Sequence, residues 1–476
     1  MGTEPIIIDS SPQLFIDDML IEYSREVSLK INPPLKAGPV LLADRPWESY
    51  RIGAYGTIMK DGNICKMWYD AIDKNRNIHH CYAVSDDGVN WKKHNLNLVE
   101  YHGSKDNNIL PLPPCGTVFI DPIAPPGQRY KYVTYGHGAE VGSIAQYGMR
   151  IWWSEDGLRW QSNENYALPL NADSQNQVFW DDRIRKYVAY LRAWNPLRCI
   201  ARVEVEELLK PWPYKPREDI RYDPIHAKKW PAPTNELPIV FKYDHNDPND
   251  SDHYNPCVVK YPFAKDVYYM FPSAYFHYPE PPIGKHPNDG RLEIQIATSR
   301  DGIHWNRLSR DTYVRLGRKN ELDSEQMYML VGMIRNGEEL WMFHSGYNYT
   351  HGVYDLETTH YSGAIFRTEQ RLDGFTSIDA GYKEGELLTK PMIFLGSKLL
   401  LNVDTSATGE LKVQIEAEDG TPLKDFDLES CDTIHANDCS KAVSWNHVHD
   451  VSGLSGNSVR LRFLMRNTKL YAFQFS

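Results

Sequence analysis

This chain has no Cys-x-x-Cys pair, no surplus of basic residues, and no apolar run near the roughly 18 residues that a membrane-spanning helix needs. The first absence disfavours a thiolate zinc site, and the last disfavours a helical membrane span. The missing basic surplus disfavours a nucleic-acid partner. Lys and Arg total 52 against 63 Asp and Glu, a net charge of −11, whereas a phosphate backbone requires a basic face. Phosphate loops, dinucleotide fingerprints and Ser-His-Asp elbows are also missing. Of the seven cysteines, Cys65, Cys81, Cys115, Cys199 and Cys257 sit in apolar strand-like runs and read as buried free thiols. Cys431 and Cys439 are near enough in sequence to pair in an oxidising compartment, so that disulfide stays open. The opening MGTEPIIIDSSPQ has neither a basic n-region nor a long apolar h-region. The compartment therefore stays open, with secreted or periplasmic favoured over cytoplasmic if a leader has been removed.

What the chain does have is repetition. SDDGVNW (Ser85–Trp91), SEDGLRW (Ser154–Trp160) and SRDGIHW (Ser299–Trp305) share the skeleton Ser-x-Asp-Gly-x-x-Trp. Their aspartates, Asp87, Asp156 and Asp301, are 69 and 145 positions apart, one period and two periods of about 72. A further period reaches the degraded copy Asp373-Gly374, and a Pro-rich stretch replaces the copy expected near position 228. Five units follow.

A second repeat gives the same count. Five segments, starting at Tyr55, Gly116, Asn176, Asn255 and Leu330, each show an apolar strand, a short turn and an aromatic-rich strand. Their turns carry hairpin chemistry such as Asp-Gly, Pro-Pro-Gly and Asn-Gly. With 30 Tyr, 13 Trp and little helical periodicity, the chain reads as all-β: four-stranded antiparallel sheets repeated radially over about residues 12–380, a five-bladed β-propeller. The Ser-x-Asp-Gly-x-x-Trp phrase is then the turn between third and fourth strands, its Trp buried between neighbouring sheets. From about residue 386 to 476, strict alternation with Gly turns predicts a C-terminal β-sandwich. The early QLFIDDMLIEY reads as a strand at the interface or one that closes the ring.

Propellers place function at the channel mouth, where each first strand begins. The polar residues there are Asp44 and Glu48, Asp121, Asp173 with Gln175 and Asn176, Asp252 with His253 and Tyr254, and Asp323 with Glu325. His344, in the fifth hairpin, joins the candidate binding residues. Converging acids suit glycoside cleavage, in which one carboxylic acid protonates the leaving oxygen and a second carboxylate attacks or activates water. Glu48, Asp121, Glu325, Asp173 and Asp44 are the candidate catalytic acids. His253, Tyr254, Gln175, Asn176 and His344 are the candidate contacts to a carbohydrate substrate.

Five blades, these turns and a trailing sandwich resemble the five-bladed glycoside hydrolases of the invertase, levansucrase and arabinanase group, with a layout most similar to family 32. The resemblance implies a blade-one nucleophile or base, a blade-two Asp that steadies the transition state, and a blade-three Glu as acid. Asp121-Pro122 is similar to the group's Arg-Asp-Pro motif, with Ile120 in the Arg position. Blade one lacks the Asn-Asp-Pro-Asn-Gly phrase, leaving Glu48 or Asp44 as substitutes. Blade three offers DSQNQ and no Glu, which moves the expected proton donor to Glu325. The repeated turn also resembles the sialidase Asp-box. The same departures keep a non-catalytic carbohydrate- or protein-binding propeller as the alternative, with a lyase or transglycosylase behind it.

No cofactor is expected. The oxygen-rich DHNDPNDSDH (Asp244–His253) could take Ca²⁺ but lacks the EF-hand Gly and terminal Glu. HVHD (His447–Asp450) reads as an ordinary strand before it reads as a metal site. Sugar identity, linkage, stereochemical outcome and oligomeric state stay open.

Overall fold

The computed structural model describes residues 4–135, 148–163, 166–170, 172–214, 221–223, 228–230, 237–279, 288–352 and 363–476. These residues are all-β, and their only helical pieces are three-residue 3₁₀ turns at Pro46–Glu48, Pro126–Gln128 and Ser452–Leu454.

All five hairpins read from the sequence are present. Strand Arg51–Asp61 pairs with Ile64–Ile72, Thr117–Ile120 with Tyr130–Tyr135, and Gln177–Asp181 with Lys186–Trp194. Val258–Lys260 pairs with Tyr268–Met270, and Ile334–Asn336 with Glu339–Tyr347. In the first three, a third and a fourth strand complete an antiparallel sheet of four. Pro272 interrupts the second strand of the fourth hairpin, which resumes as Ser273–His277. The fifth sheet takes its outermost strand, Leu35–Leu42, from the start of the chain, paired with Gly363–Arg371.

Side-chain and backbone hydrogen bonds join the first strands in sequence. Val118 N donates to Thr57 Oγ1 at 2.9 Å, and Thr117 Oγ1 to Asn176 O at 2.8 Å. Val258 N donates to Gln177 Oε1 at 2.8 Å, and Cys257 Sγ to Leu330 O at 3.4 Å. Ile58 N then donates to Val331 O at 2.8 Å, which brings the series back to the first hairpin. Apolar layers fill the spaces between successive sheets, and one of them joins the fifth to the first through Ile58, Met67, Leu330, Trp341 and Phe343.

The repeated turns belong to these layers. In each, the Ser hydroxyl accepts the Gly amide (Gly88, Gly157 and Gly302) at 2.8–2.9 Å, and the Asp carboxylate accepts the two amides that follow at 2.8–2.9 Å. The glycines hold φ of 72°, 78° and 72°, where a side chain strains the backbone. Each presses on an aromatic residue in the second strand of the preceding hairpin sheet: Gly88 on Trp341, Gly157 on Trp68, Gly302 on Tyr190. Trp91 and Trp305 reach across to Phe343 and Tyr190, and Trp160 packs on Tyr132 of its own sheet. All three are half-buried rather than fully buried.

Two six-stranded sheets share a second core centred on Phe394, Trp445, Phe463 and Phe473. N-terminal strands enter both: Ile21–Arg25 pairs with Gly385–Thr389, and Val27–Ile31 with Thr376–Ala380. All seven cysteines are free thiols, Cys431 buried and accepting from Val413 N at 3.2 Å. His447 lies in a turn at φ 65°, not in a strand. No described helix is long and apolar enough to cross a membrane.

Candidate functional site

Two cavities open at the ends of the first strands. The one at their beginnings has a volume of about 280 Å³ and is lined by Arg51, Tyr55, Asp70, Tyr254, Tyr328 and His351, among others. Its shape starts with a local irregularity. The pairing of Arg51–Asp61 with its neighbour skips from Ile52 to Gly56, so Gly53, Ala54 and Tyr55 bulge out of the ladder. A Cβ on Gly53 would run into Asp70, so only glycine allows this approach.

Asp70 is the carboxylate that the bulge presents. It is buried in the second strand of the first hairpin, with His80 Nδ1 2.8 Å from Oδ1 and the Cys115 amide donating to Oδ2 at 2.9 Å. His80 Nε2 is buried without a hydrogen-bond partner. The rest of the lining includes Arg51 and several aromatic side chains. Arg51 donates to Tyr349 Oη at 2.7 Å and lies 5.0 Å from the Tyr347 ring. Tyr254 carries Arg192 at 4.2 Å and Arg198 at 5.3 Å from its ring centre. Arg198 pairs with buried Asp252 at 2.8 Å; burial opposes that carboxylate's charge, but Arg198 and His277 overcome it and hold its pKa at about 2. Burial, reinforced by Arg198, Arg51 and Arg192, holds His351 neutral, well below the usual imidazole range. Burial likewise keeps the Tyr55 and Tyr328 hydroxyls protonated.

Of the residues singled out from the sequence, Tyr254 lines this cavity. Gln175 lies deeper along the same strands, where its amide takes Gly56 N at 3.3 Å and donates to Pro256 O and Met329 O. Asp173, at φ 29°, stands near it through an Arg192 contact of 3.4 Å. Asn176 is buried scaffold, its Oδ1 accepting Arg192 N at 3.0 Å.

The other candidates lie outside the cavity. Glu48 is completely buried and saturated by Tyr69 Oη, Lys93 Nζ and the amides of Asp44 and Arg45. Asp44 is an exposed partner of Lys93. Asp121 lies at the far end of its strand, paired with Lys131 at 2.8 Å and Tyr187 at 2.9 Å. Glu325 makes a two-point pair with Arg291 and precedes Gln326, which lines the cavity, so strand alternation turns Glu325 away. His253 packs on Phe241, and burial, with Arg307 adding to it, lowers its pKa to about 4. His344 stacks on Phe366 beside Asp323. In the Asp244–His253 segment, Asp244 and Asp247 pair with Arg310 and Arg307. Among the described residues, no cluster of three or more His, Cys, Asp or Glu side chains is placed to hold a metal.

Asp70, Arg51, Arg192 and His351 carried no separate weight in the sequence reading. One signal was available: KMWYDA places an acid inside an apolar strand, as VFIDP does for Asp121. The second cavity, about 840 Å³, is walled by the opposite ends of the same strands and is largely apolar.

No family model matches the sequence, and no curated protein matches it significantly. Solved structures that resemble it include a glycoside hydrolase at 13% identity and TM-score 0.45, covering 71% of this chain and 92% of that one. An exo-inulinase from Aspergillus awamori has 11% identity, TM-score 0.42 and covers 91% and 99%. An N-acetylgalactosamine deacetylase from F. plautii, in complex with blood group B trisaccharide, has 12% identity, TM-score 0.43 and covers 72% and 95%. Likeness of this degree has no functional weight, and the chemistry rests on the residues themselves.

Proposed function

We propose that the chain is a five-bladed β-propeller of about residues 12–380 joined to a C-terminal β-sandwich from about 386, and that it is a glycosidase-like enzyme acting in the 280 Å³ cavity. The circuit of hydrogen bonds through five first strands supports the blade count. Two sheets over one apolar core support the sandwich.

Asp70 carries the functional reading. A carboxylate fixed by His80 and the Cys115 amide, in a pocket lined by tyrosines, is arranged to attack an anomeric carbon or to take a proton from water there. Tyr55, Tyr254 and Tyr328 offer ring faces for sugar C–H surfaces and hydroxyls for hydrogen bonds. One observation favours a second reading: among the described residues, Asp70 is the only carboxylate lining the cavity, whereas glycosidic hydrolysis ordinarily uses two. A binding propeller needs only one.

Incubation with a broad panel of plant and algal glycans and aryl glycosides, followed by product analysis, separates the two. The enzyme reading expects released sugar and at least a ~100-fold loss of turnover in Asp70→Asn with the fold intact. Retained affinity for a glycan without any product would establish the binding module instead.

A further inference from the structure

An unpaired cation is built into the cavity wall. Arg51 has a tyrosine hydroxyl and tyrosine rings around it, but no carboxylate among the described residues pairs with it, and its Nε is buried without a hydrogen-bond partner. Arg192 is fully buried; its Nη1 reaches Asp173 only at 3.4 Å, and its Nε and Nη2 have no hydrogen-bond partner. Among the described residues the cavity lining holds one carboxylate, Asp70, and its two oxygens are taken by His80 and the Cys115 amide, which leaves Arg51 without a counter-ion. Buried charge ordinarily has a counter-ion, and a guanidinium fork matches a carboxylate in two-point geometry. Arg51 therefore presents an unpaired guanidinium where a ligand would lie.

We propose that the cavity recognises a uronic acid: a saccharide whose carboxylate pairs with Arg51, while its ring packs among Tyr55, Tyr254 and Tyr328. This rests on the carbohydrate reading above and names its substrate class. Phosphate and sulfate share the same anion chemistry, so they form a separate arm of the test.

Calorimetric titration of the full chain at low salt would compare glucuronate and galacturonate with glucose and galactose, and with inorganic phosphate and sulfate. At least a tenfold preference for a uronate over its neutral parent is expected, weakening as salt is added. Arg51→Gln should lose that preference, and Arg51→Lys should keep part of it. The wild-type comparison stands even if the variants do not fold. Equal affinity for neutral and acidic sugars overturns the uronate assignment and leaves the glycosidase reading intact. Phosphate or sulfate binding without any preference for uronates also overturns it. Failure of every saccharide to bind overturns both. Uronide cleavage to an unsaturated, ultraviolet-absorbing product supports the assignment and replaces hydrolysis by elimination.

Discussion

Asp373, in the degraded fourth copy of the repeated turn, differs physically from its three relatives. It holds the positive φ itself, at 58°, and is buried against Tyr261, whose hydroxyl donates to it at 2.6 Å. Burial outweighs that hydrogen bond and the nearby Arg335 and Arg371, raising its pKa from 3.8 to about 6. Between those two pH values the folded chain keeps a proton that the unfolded chain has released. Stability is therefore lost as pH rises through that window, by roughly 3 kcal/mol. Asp373→Asn tolerates the backbone and still accepts from Tyr261, so it should be more stable than wild type at pH 7.5 and no better at pH 3.5; urea melts at both pH values check this. Gly53 has the opposite sensitivity. Gly53→Ala pushes on Asp70, and should cost about 1–3 kcal/mol in a denaturation series and also reduce turnover or ligand affinity. A stable, fully active Gly53→Ala would remove Asp70 from the centre of the site.

At the scale of the element, the repeated turn is a clamp between sheets, and its energetics follow its half-burial. Trp91→Ala, Trp160→Ala and Trp305→Ala should each cost about 2 kcal/mol, below the 3–5 of a fully buried aromatic, with ligand binding unchanged. Thermal melts and titrations on the same samples separate stability from recognition. The short turn at Pro46–Glu48 depends on Lys93, whose ammonium lies 2.7 Å from fully buried Glu48. Lys93→Met strands that carboxylate and should destabilise by about 3–5 kcal/mol. The hairpins were legible in the sequence because Asp-Gly, Asn-Gly and Pro-Pro-Gly turns lie between apolar runs, and turn chemistry is local. The site was legible only in part. Tyr254 lines the cavity and Gln175 lies beneath it, each just ahead of a first strand. Asp70 was missed because a three-residue bulge 15 positions upstream presents it, and a bulge leaves no mark in apolar periodicity. Glu325 and Gln326 are adjacent, and a one-residue choice of face decided which of them lines the cavity.

At the scale of the whole molecule, the chain's beginning binds everything together. Ile6–Ile7 runs beside Met392–Ile393, Gln13–Leu14 pairs with Ala472 and Phe473, Ile21–Arg25 and Val27–Ile31 pair with strands within residues 376–389, and Leu35–Leu42 completes the fifth sheet. Neither unit is complete without the first 42 residues. Scanning calorimetry should show one cooperative transition, and a fragment lacking residues 1–42 should be unfolded or aggregated; two well-separated transitions would contradict this.

Leu42 meets its partner Ala364 only 322 positions later in the chain. On the ribosome, that strand emerges well ahead of its partner and waits with an open edge while the residues between them are made. For those tens of seconds, at ordinary elongation rates of about 5–20 residues per second, the nascent chain carries a strand that any other extended peptide can capture. This long-range strand pairing thus makes synthesis the period of greatest exposure. Chaperones that cover the waiting strand should therefore raise the yield of folded protein.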